Sequence, residues 1–154
     1  MKNLLLYFGI ISVSFFTACN DTYRDFQSVK DMKWYKKDIK TFNVTIPEDG
    51  TYDLIFAFRH SSGYPFTSIK INIEQTTPDG KILEKDAEFP VADKNGKYLG
   101  EVTGQLWDLE NNFDENVFLK KGKYIFKISH AMNHNPVVLV IDAGLIVRKH
   151  KNKK

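Results

Sequence analysis

Residues 41–58 read TFNVTIPEDGTYDLIFAF and carry the clearest fold signal in the chain. Every second residue from Phe42 to Ile46 is apolar, and the residues between them are polar. A similar alternation, with larger apolar side chains, runs from Tyr52 to Phe58. A period of two with aromatic and β-branched residues is typical of half-buried strands. Because the intervening PEDG is a turn sequence, we expect the two strands to form a β-hairpin.

Related patterns continue through the rest of the chain. Further strands are predicted at Ile69–Ile73, at Ile82–Phe89 as an exposed edge, at Tyr98–Leu109, at Tyr124–Ile128 and at Val137–Val147. Residues 137–141 are apolar without alternation, which is typical of a central strand buried on both faces. Eight or nine strands and no long helix predict an all-β fold, an antiparallel β-sandwich of the Greek-key or jelly-roll type.

The segments between these strands are predicted from their polar and turn-forming residues. Turn sequences occur at residues 60–65, 77–80, 92–97 and 120–123. The acidic residues 111–116 are predicted to form a loop. Gly100 and Gly104 interrupt a strand pattern, and glycines in that setting often mark a bulge or a close approach of two backbones.

The first 19 residues have the features of a lipoprotein signal. Lys2 precedes Leu4–Phe16, which is 13 residues without a charge and short of the ~20 needed to span a bilayer. Phe16-Thr17-Ala18-Cys19 resembles a bacterial lipobox. In that class the cysteine thiol takes a diacylglycerol, cleavage precedes the cysteine, and the new amine receives an acyl chain such as palmitate. Cys19 is the single cysteine, so no disulfide competes for it, and we predict lipidation there.

These features divide the chain into four segments. We expect a signal peptide at 1–18, a lipidated N-terminus and tether at 19–30, the β-sandwich at 31–148 and a basic tail at 149–154. Trp34 is expected to pack on the edge of the sandwich near its start.

The net charge of +3 is concentrated at the C-terminus. Residues 148–154 carry five Lys or Arg, and residues 20–147 hold 16 basic against 19 acidic side chains. A basic tail can meet phosphates or acidic headgroups, but we interpret it as a solvated chain end. Without a basic face on the domain, nucleic acid is not an expected partner.

Three polar groupings could in principle carry chemistry. His130 and His134 are four residues apart, but the glutamate of the zinc-protease signature is missing, and we interpret the segment as a polar loop. Asp93-Lys94-Asn95-Gly96 lacks the remaining ligands of a calcium loop and is predicted to be a hairpin turn. The acidic residues Asp108, Glu110, Asp114 and Glu115 are more simply a solvated loop than a glycosidase carboxylate pair. We therefore predict no catalytic residue, no metal site and no cofactor.

Three aromatic residues are candidate contacts for a ligand or a partner protein. Tyr64, Tyr98 and Trp107 could stack on a sugar ring if the sandwich exposed them on one face, although core packing is the default for aromatics at strand spacing. A carbohydrate-binding module is therefore the alternative function. A separate expectation is that Arg59, at a strand end, pairs with an acidic neighbour such as Asp142.

Several short motifs, taken in order, resemble the GldH family of gliding motility lipoproteins from the Bacteroidetes. They are the lipobox at Cys19, Arg59-His60, Tyr64-Pro65-Phe66, the run from Ala92 to Gly100 with Gly104, Gly122-Lys123-Tyr124, His130-Ala131-Met132 and Asp142-Ala143-Gly144-Leu145. Tyr98 stands where the family pattern leads us to expect Trp, and His130 where it leads us to expect Gln.

The resemblance implies a non-enzymatic accessory lipoprotein of the cell envelope. Its expected partners are the membrane, through the lipid anchor, and envelope proteins of the gliding machinery and the linked secretion system. Asn20 rather than Asp follows Cys19, which favours the outer membrane, and the domain is expected to face the periplasm rather than the cell surface. No oligomeric state is predicted.

Overall fold

The computed structural model describes residues 21–151. The predictions for the signal peptide at 1–18, for Cys19 and for the last three residues of the tail lie outside the described residues. No helix within residues 21–151 has the length and apolar character needed to cross a membrane.

Eleven strands and one short 3-10 turn make up the described chain. The strands are β1 (Asp21–Ser28), β2 (Lys33–Trp34), β3 (Lys40–Ile46), β4 (Gly50–Ser61), β5 (Ser68–Thr76), β6 (Ile82–Pro90), β7 (Glu101–Thr103), β8 (Leu106–Leu119), β9 (Gly122–His130), β10 (Val137–Val138) and β11 (Val140–Lys149). The 3-10 turn, Lys30–Met32, lies between β1 and β2.

The strands form a jelly-roll sandwich. One sheet has the order β1-β11-β4-β8-β7, the other has the order β3-β9-β5-β6, and β2 and β10 form a separate two-stranded pair. All the pairings are antiparallel. Consecutive strands mostly alternate between the two sheets, as in a jelly roll. The predicted all-β antiparallel sandwich is confirmed, and of its two predicted variants the strand order is that of the jelly roll.

The expected hairpin of residues 41–58 is wrong, although both strands exist. β3 pairs with β9, whereas β4 pairs with β11 and β8 in the opposite sheet. Residues 47–49 therefore carry the chain from one sheet to the other. The physical reason is burial: Phe42 on β3 and Phe56 on β4 are both 0% exposed because their apolar faces meet across one shared core.

The N-terminal segment is more ordered than the predicted tether at 19–30. Residues 21–28 form β1, which pairs along the length of β11. The Asp21 carboxylate accepts hydrogen bonds at 2.6 Å from Nε of Arg24 and at 2.6 Å from Nε of Arg148, so the first residue of the strand is fixed. Trp34 lies in the core rather than at its edge, with 0% exposure and its Nε1 donating to the Asp38 carbonyl at 2.8 Å.

Three further expectations have clear outcomes. β6 is an exposed edge strand, as predicted. β11 is buried on both faces, because Ile146 packs with Ile55 and Ala57 on the outer side of the sheet. The prediction of a doubly buried strand at residues 137–141 is wrong for its first part: Val137–Val138 form β10 beside β2, Val138 is 36% exposed, and Leu139, with a φ of 62°, separates β10 from β11. The predicted loop at 111–116 is wrong, since these residues continue β8, with the Phe113 side chain turned into the core.

The sandwich has a lower end and an upper end, and different connections lie at each. The lower end contains the start of β1, the end of β11 and the connections 47–49, 77–81 and 120–121. The upper end contains the end of β1 and the connections 29–39, 62–67, 91–100, 104–105 and 131–136.

Candidate functional site at the upper end

The three aromatics chosen from the sequence meet at the upper end, around His60. Cross-strand pairing places Trp107 on β8 opposite His60 at the end of β4. The ring of His60 lies 5.0 Å from that of Tyr64 and 4.9 Å from that of Tyr98, and Tyr98 is 5.4 Å from Trp107. The loop residue Tyr64 is 3% exposed, and the other two aromatics are half-buried. The cluster therefore packs the upper end and presents no aligned, exposed aromatic face.

The polar atoms of these aromatics have partners within the protein. Tyr98 donates its hydroxyl to the Tyr64 carbonyl at 2.8 Å, and Tyr64 donates to the Ser68 carbonyl at 3.3 Å. Trp107 Nε1 donates to Ser62 Oγ at 3.3 Å. Burial raises the pKa of the Tyr64 phenol, so it remains a neutral donor. These bonds fix the loop 62–67 and the run 91–100 against β8.

His60 is the centre of the cluster, and sequence reasoning did not single it out. It is 0% exposed, its Nδ1 lies 3.0 Å from the Ser61 carbonyl, and its Nε2 has no partner among the described residues. Burial lowers the pKa of His60, which favours the neutral ring. The sequence does contain a signal for the burial of His60. It follows Phe56 and Phe58 at the same two-residue spacing, so it is on the core-facing side of the strand.

Beside the cluster, Arg59 connects three strands on the outer side of the five-stranded sheet. Its Nε donates to Asp108 Oδ1 at 2.6 Å and its Nη2 to Asp108 Oδ2 at 3.2 Å. Its Nη1 donates to Asp142 Oδ2 at 3.3 Å, and Asp142 Oδ1 accepts from Ser28 Oγ at 2.8 Å. The hydrogen bonds that Arg59 donates to Asp108, together with the nearby carboxylate charges, raise the pKa of Arg59. The predicted pairing with Asp142 is confirmed, but Asp108 is the bidentate partner.

The other acidic residues of the predicted loop also lie on β8, and most have cationic partners. Glu110 accepts from Nη1 of Arg24 at 2.8 Å and from Nη2 of Arg148 at 3.3 Å. Asp114 lies 3.3 Å from the Lys85 ammonium, and Glu115 accepts a hydrogen bond from Asn112 Nδ2. The expectation of a solvated acidic loop is corrected to a strand whose carboxylates are largely neutralised by neighbouring strands.

The two histidines of the 130–134 segment have separate environments. His130 ends β9, is 2% exposed and has its ring 5.5 Å from that of Trp34, so the interpretation as a polar loop is wrong for it. Neither of its ring nitrogens has a hydrogen-bond partner within residues 21–151. His134 is exposed, with its ring 4.9 Å from Phe66. Across the described chain, no three His, Cys, Asp or Glu residues are grouped to hold a metal.

The turn around Asp93 is built by backbone hydrogen bonds to one carboxylate. Asp93 Oδ1 accepts from the backbone nitrogens of Asn95 at 2.8 Å and Lys97 at 2.9 Å. Ala92 and Tyr98 form an antiparallel bridge across it, which confirms the predicted turn. Just beyond, Gly100 approaches β8 so closely that an added Cβ would lie 2.1 Å from the Asp108 carbonyl, as its position in the sequence suggested.

An open, basic groove is the upper-end feature that sequence reasoning missed. We name it the lysine groove. It is lined by Ser28, Lys30, Asp31, Lys33, Tyr35, Lys37, Asp38 and Lys40. The ammonium of Lys40 is bound within it, at 2.9 Å from both Asp38 Oδ2 and the Ser28 carbonyl.

The segment that forms the lysine groove also exposes apolar side chains. Met32 is 44%, Tyr35 40% and Ile39 51% exposed, and the Lys37 ammonium lies 6.0 Å from the centre of the Tyr35 ring. The signal in the sequence is the group of lysines on either side of Trp34-Tyr35, at the start of the predicted sandwich.

Comparison with known proteins places the chain in a family. The profile described as GldH lipoprotein matches residues 21–147. The gliding motility lipoprotein GldH homolog of Christiangramia forsetii is 26% identical over 96% of this chain and 96% of its own length. The gliding motility lipoprotein GldH of Flavobacterium johnsoniae is 24% identical over 80% of this chain and 79% of its own length.

Among solved structures, a family 35 carbohydrate-binding module from Clostridium thermocellum is similar at 14% identity. The superposition covers 77% of this chain and 97% of the module, with a TM-score of 0.38. A likeness at this level carries no functional argument. The profile match extends over most of the chain, from the first residue of β1 to residue 147 in β11. The protein belongs to the GldH lipoprotein family.

Proposed function

We propose that this protein is an envelope lipoprotein, anchored through acyl chains on Cys19, that acts by binding other envelope proteins of a gliding machinery and its linked secretion system. Family membership supports the lipoprotein part of the proposal, and the names of the two relatives support the association with gliding motility. Asn20 after the cysteine favours the outer membrane, with the sandwich facing the periplasm.

The observation that carries the binding role is the lysine groove. Lys30, Lys33 and Lys37 are exposed there, next to the exposed apolar side chains of Met32 and Ile39. Exposed apolar side chains with a charged rim are typical of protein interfaces. The positive charge fits an acidic segment of a partner, because opposite charges speed the encounter and select the partner.

The arginine partners of the carboxylates on β8 also favour a binding role over a catalytic one. Asp108 and Glu110 are the acidic side chains nearest the aromatic cluster on β8, and each accepts hydrogen bonds from arginine. Both carboxylates are therefore engaged in ion pairs that join neighbouring strands. The packed arrangement of Tyr64, Tyr98 and Trp107 gives the carbohydrate-binding alternative no support.

Site-specific crosslinking in the producing bacterium tests the proposal. A photoreactive amino acid replaces Tyr35 in the groove, and in a second strain it replaces Ile125, towards the lower end of β9, which is 38% exposed. We expect position 35 to capture one or a few defined envelope proteins of the motility or secretion apparatus, and position 125 not to capture them.

A charge-reversal pair sharpens that experiment. Lys33→Glu with Lys37→Glu is expected to reduce capture from position 35 several-fold, because the groove loses its attraction for an acidic segment. Lys94→Glu with Lys97→Glu, on exposed lysines of the same end, is the matched control and is expected to leave capture unchanged. Equal capture in both variants contradicts the groove as the binding surface. Normal spreading and normal secretion after deletion of the gene contradict the wider proposal.

A further inference from the structure

The lower end of the sandwich is held close to the lipid attachment point. Asp21, the first residue of β1, pairs with Arg148 on β11 and is fixed by two hydrogen bonds from arginine. Cys19 stands two positions earlier in the sequence. Since consecutive Cα atoms are about 3.8 Å apart, the Cα of residue 19 can be no more than about 7–8 Å from that of Asp21. A lipid on Cys19 therefore leaves the lower end almost no clearance from the bilayer surface.

The same end carries lysines without ion-pair partners. Lys120 and Lys121 form the connection between β8 and β9, and Lys151 follows β11. All three are exposed, and within residues 21–151 no carboxylate lies within ion-pair distance of their ammonium groups. Two more lysines follow in the sequence, at 153 and 154.

The acidic side chains of this end are largely engaged by other groups. Glu48 pairs with Lys149. Asp49 accepts from the backbone nitrogen of Lys121 at 2.6 Å, and Asp53 lies 2.7 Å from Nδ1 of His150. Asp79 accepts a hydrogen bond from the Thr77 hydroxyl, and the positive charge of Lys120 contributes to lowering its pKa. The described lower end is net positive, with seven cationic side chains (Lys81, Lys120, Lys121, Lys123, Arg148, Lys149 and Lys151) against five carboxylates (Asp21, Glu48, Asp49, Asp53 and Asp79).

Two apolar side chains flank these lysines. Phe118 is 60% and Ile82 59% exposed, the largest values for large apolar side chains in the described part of the chain. Phe118 lies two residues before Lys120, and Ile82 directly follows the connection 77–81. An aromatic and an aliphatic side chain next to lysines are typical of protein surfaces that rest on a bilayer interface.

We propose that the lower end is a membrane-contact surface, in which Lys120, Lys121 and Lys151 bind anionic phospholipid headgroups while Phe118 and Ile82 enter the interface. The proposal rests on lipidation at Cys19. A lipid alone fixes one point and leaves the tilt of the domain free, whereas this surface fixes the tilt as well. The lysine groove then stands on the opposite side, about 25 Å away along β1, and faces outward from the membrane.

The single cysteine makes a direct test practicable. In the mature lipidated protein the thiol of Cys19 is consumed, so a cysteine introduced elsewhere is the sole site for a thiol-reactive fluorophore. Full-length Phe118→Cys is labelled and reconstituted into phosphatidylethanolamine vesicles that contain phosphatidylglycerol and brominated lipid. Asn133→Cys, at an exposed position of the upper end, is the matched control. We expect bromine quenching of the label at 118 to exceed that at 133 several-fold.

Charge variants test the headgroup contact separately. Lys120→Glu with Lys121→Glu is expected to reduce quenching at 118, as is replacing phosphatidylglycerol by phosphatidylcholine or raising the salt concentration. Lys33→Glu with Lys37→Glu in the groove is expected to leave it unchanged. Vesicle flotation of the same samples separates the two proposals. Protein that floats without preferential quenching at 118 overturns the contact surface but not the anchor, and protein that does not float overturns the anchor itself.

Discussion

Arg59 and Asp108 form a bidentate ion pair between β4 and β8, with donor–acceptor distances of 2.6 and 3.2 Å. The third bond of Arg59, to Asp142, extends the connection to β11. The pair is only partly buried, since the Arg59 side chain is 37% and that of Asp108 33% exposed. Its contribution is therefore smaller than that of a fully buried ion pair.

Arg59→Ala is expected to lower the free energy of unfolding by about 1–2 kcal/mol, because three charge-assisted hydrogen bonds are lost from a half-exposed site. Chemical denaturation of the purified domain measures this change. Lys70→Ala is the control, since Lys70 and Glu88 are both 52% exposed and lie 3.4 Å apart. It is expected to change stability by less than about 0.5 kcal/mol. Equal effects of the two substitutions contradict the importance of the bidentate geometry.

Position 144 on β11 needs a glycine because β1 lies too close there to leave room for a side chain. A Cβ at this position would lie 2.7 Å from Phe26 Cδ1 and 2.8 Å from the Asp25 carbonyl oxygen. Because the second contact is with backbone, Gly144→Ala is expected to displace β1 and to cost about 1–3 kcal/mol of stability. Hydrogen exchange of the β1 amides is expected to accelerate.

Gly50→Ala is the matched control for that substitution. Its added Cβ would meet nothing closer than Tyr52 Cε2 at 3.6 Å, an ordinary van der Waals distance. We expect it to leave both stability and β1 exchange nearly unchanged. If Gly144→Ala is as well tolerated as Gly50→Ala, the described packing of Phe26 over Gly144 is incorrect.

Stability is expected to fall in mild acid because of two buried histidines. Burial lowers the pKa of both His60 and His130, and the charge of Lys36 further lowers that of His130. The folded state then binds fewer protons than the unfolded state, in which histidine has a pKa of about 6.5. Their contribution is full above that value, begins to be lost as the pH falls below it, and is gone once the pH has fallen through the lowered pKa of the folded state. The melting temperature is expected to fall between about pH 7.5 and about pH 5.5.

His130→Gln isolates one histidine from the other titrating groups. The variant is expected to reduce the dependence of melting temperature on pH, whatever its effect on stability at neutral pH. His134→Gln, at an exposed position, is expected to leave the dependence as it is. An unchanged pH dependence in His130→Gln would show that His130 is not held neutral in the folded protein.

The strands could be predicted from the sequence, but their pairing could not. Residues 42–46 and 52–58 each have one apolar face, and that pattern fits neighbours in one sheet as well as partners facing each other across a core. The period of two therefore identified β3 and β4 and left their arrangement open. Strand β1 gave a weak signal because it is an edge strand, held by backbone pairing with β11 and by the arginines around Asp21.

The upper-end aromatics could be named from the sequence, but their exposure could not. Tyr64 lies in a loop sequence, yet its ring fills the space beside Phe58 and His60 because the chain folds back over the end of β4. The lysine groove depends on the path of residues 28–40 between two sheets. Local composition does not determine that path, so the groove was visible only in the folded structure.

Processing at Cys19 is the premise on which the account depends, and mass spectrometry of the membrane-extracted protein tests it. The expected N-terminal peptide begins at Cys19 and carries a diacylglycerol on sulfur and an acyl chain on the amine. In parallel, Cys19→Ser is expected to give a folded domain that leaves the membrane fraction, since the eleven described strands all lie after Cys19, between residues 21 and 149. A Cys19→Ser protein that is still processed and still membrane-bound, or a native N-terminus elsewhere without lipid, would contradict the account.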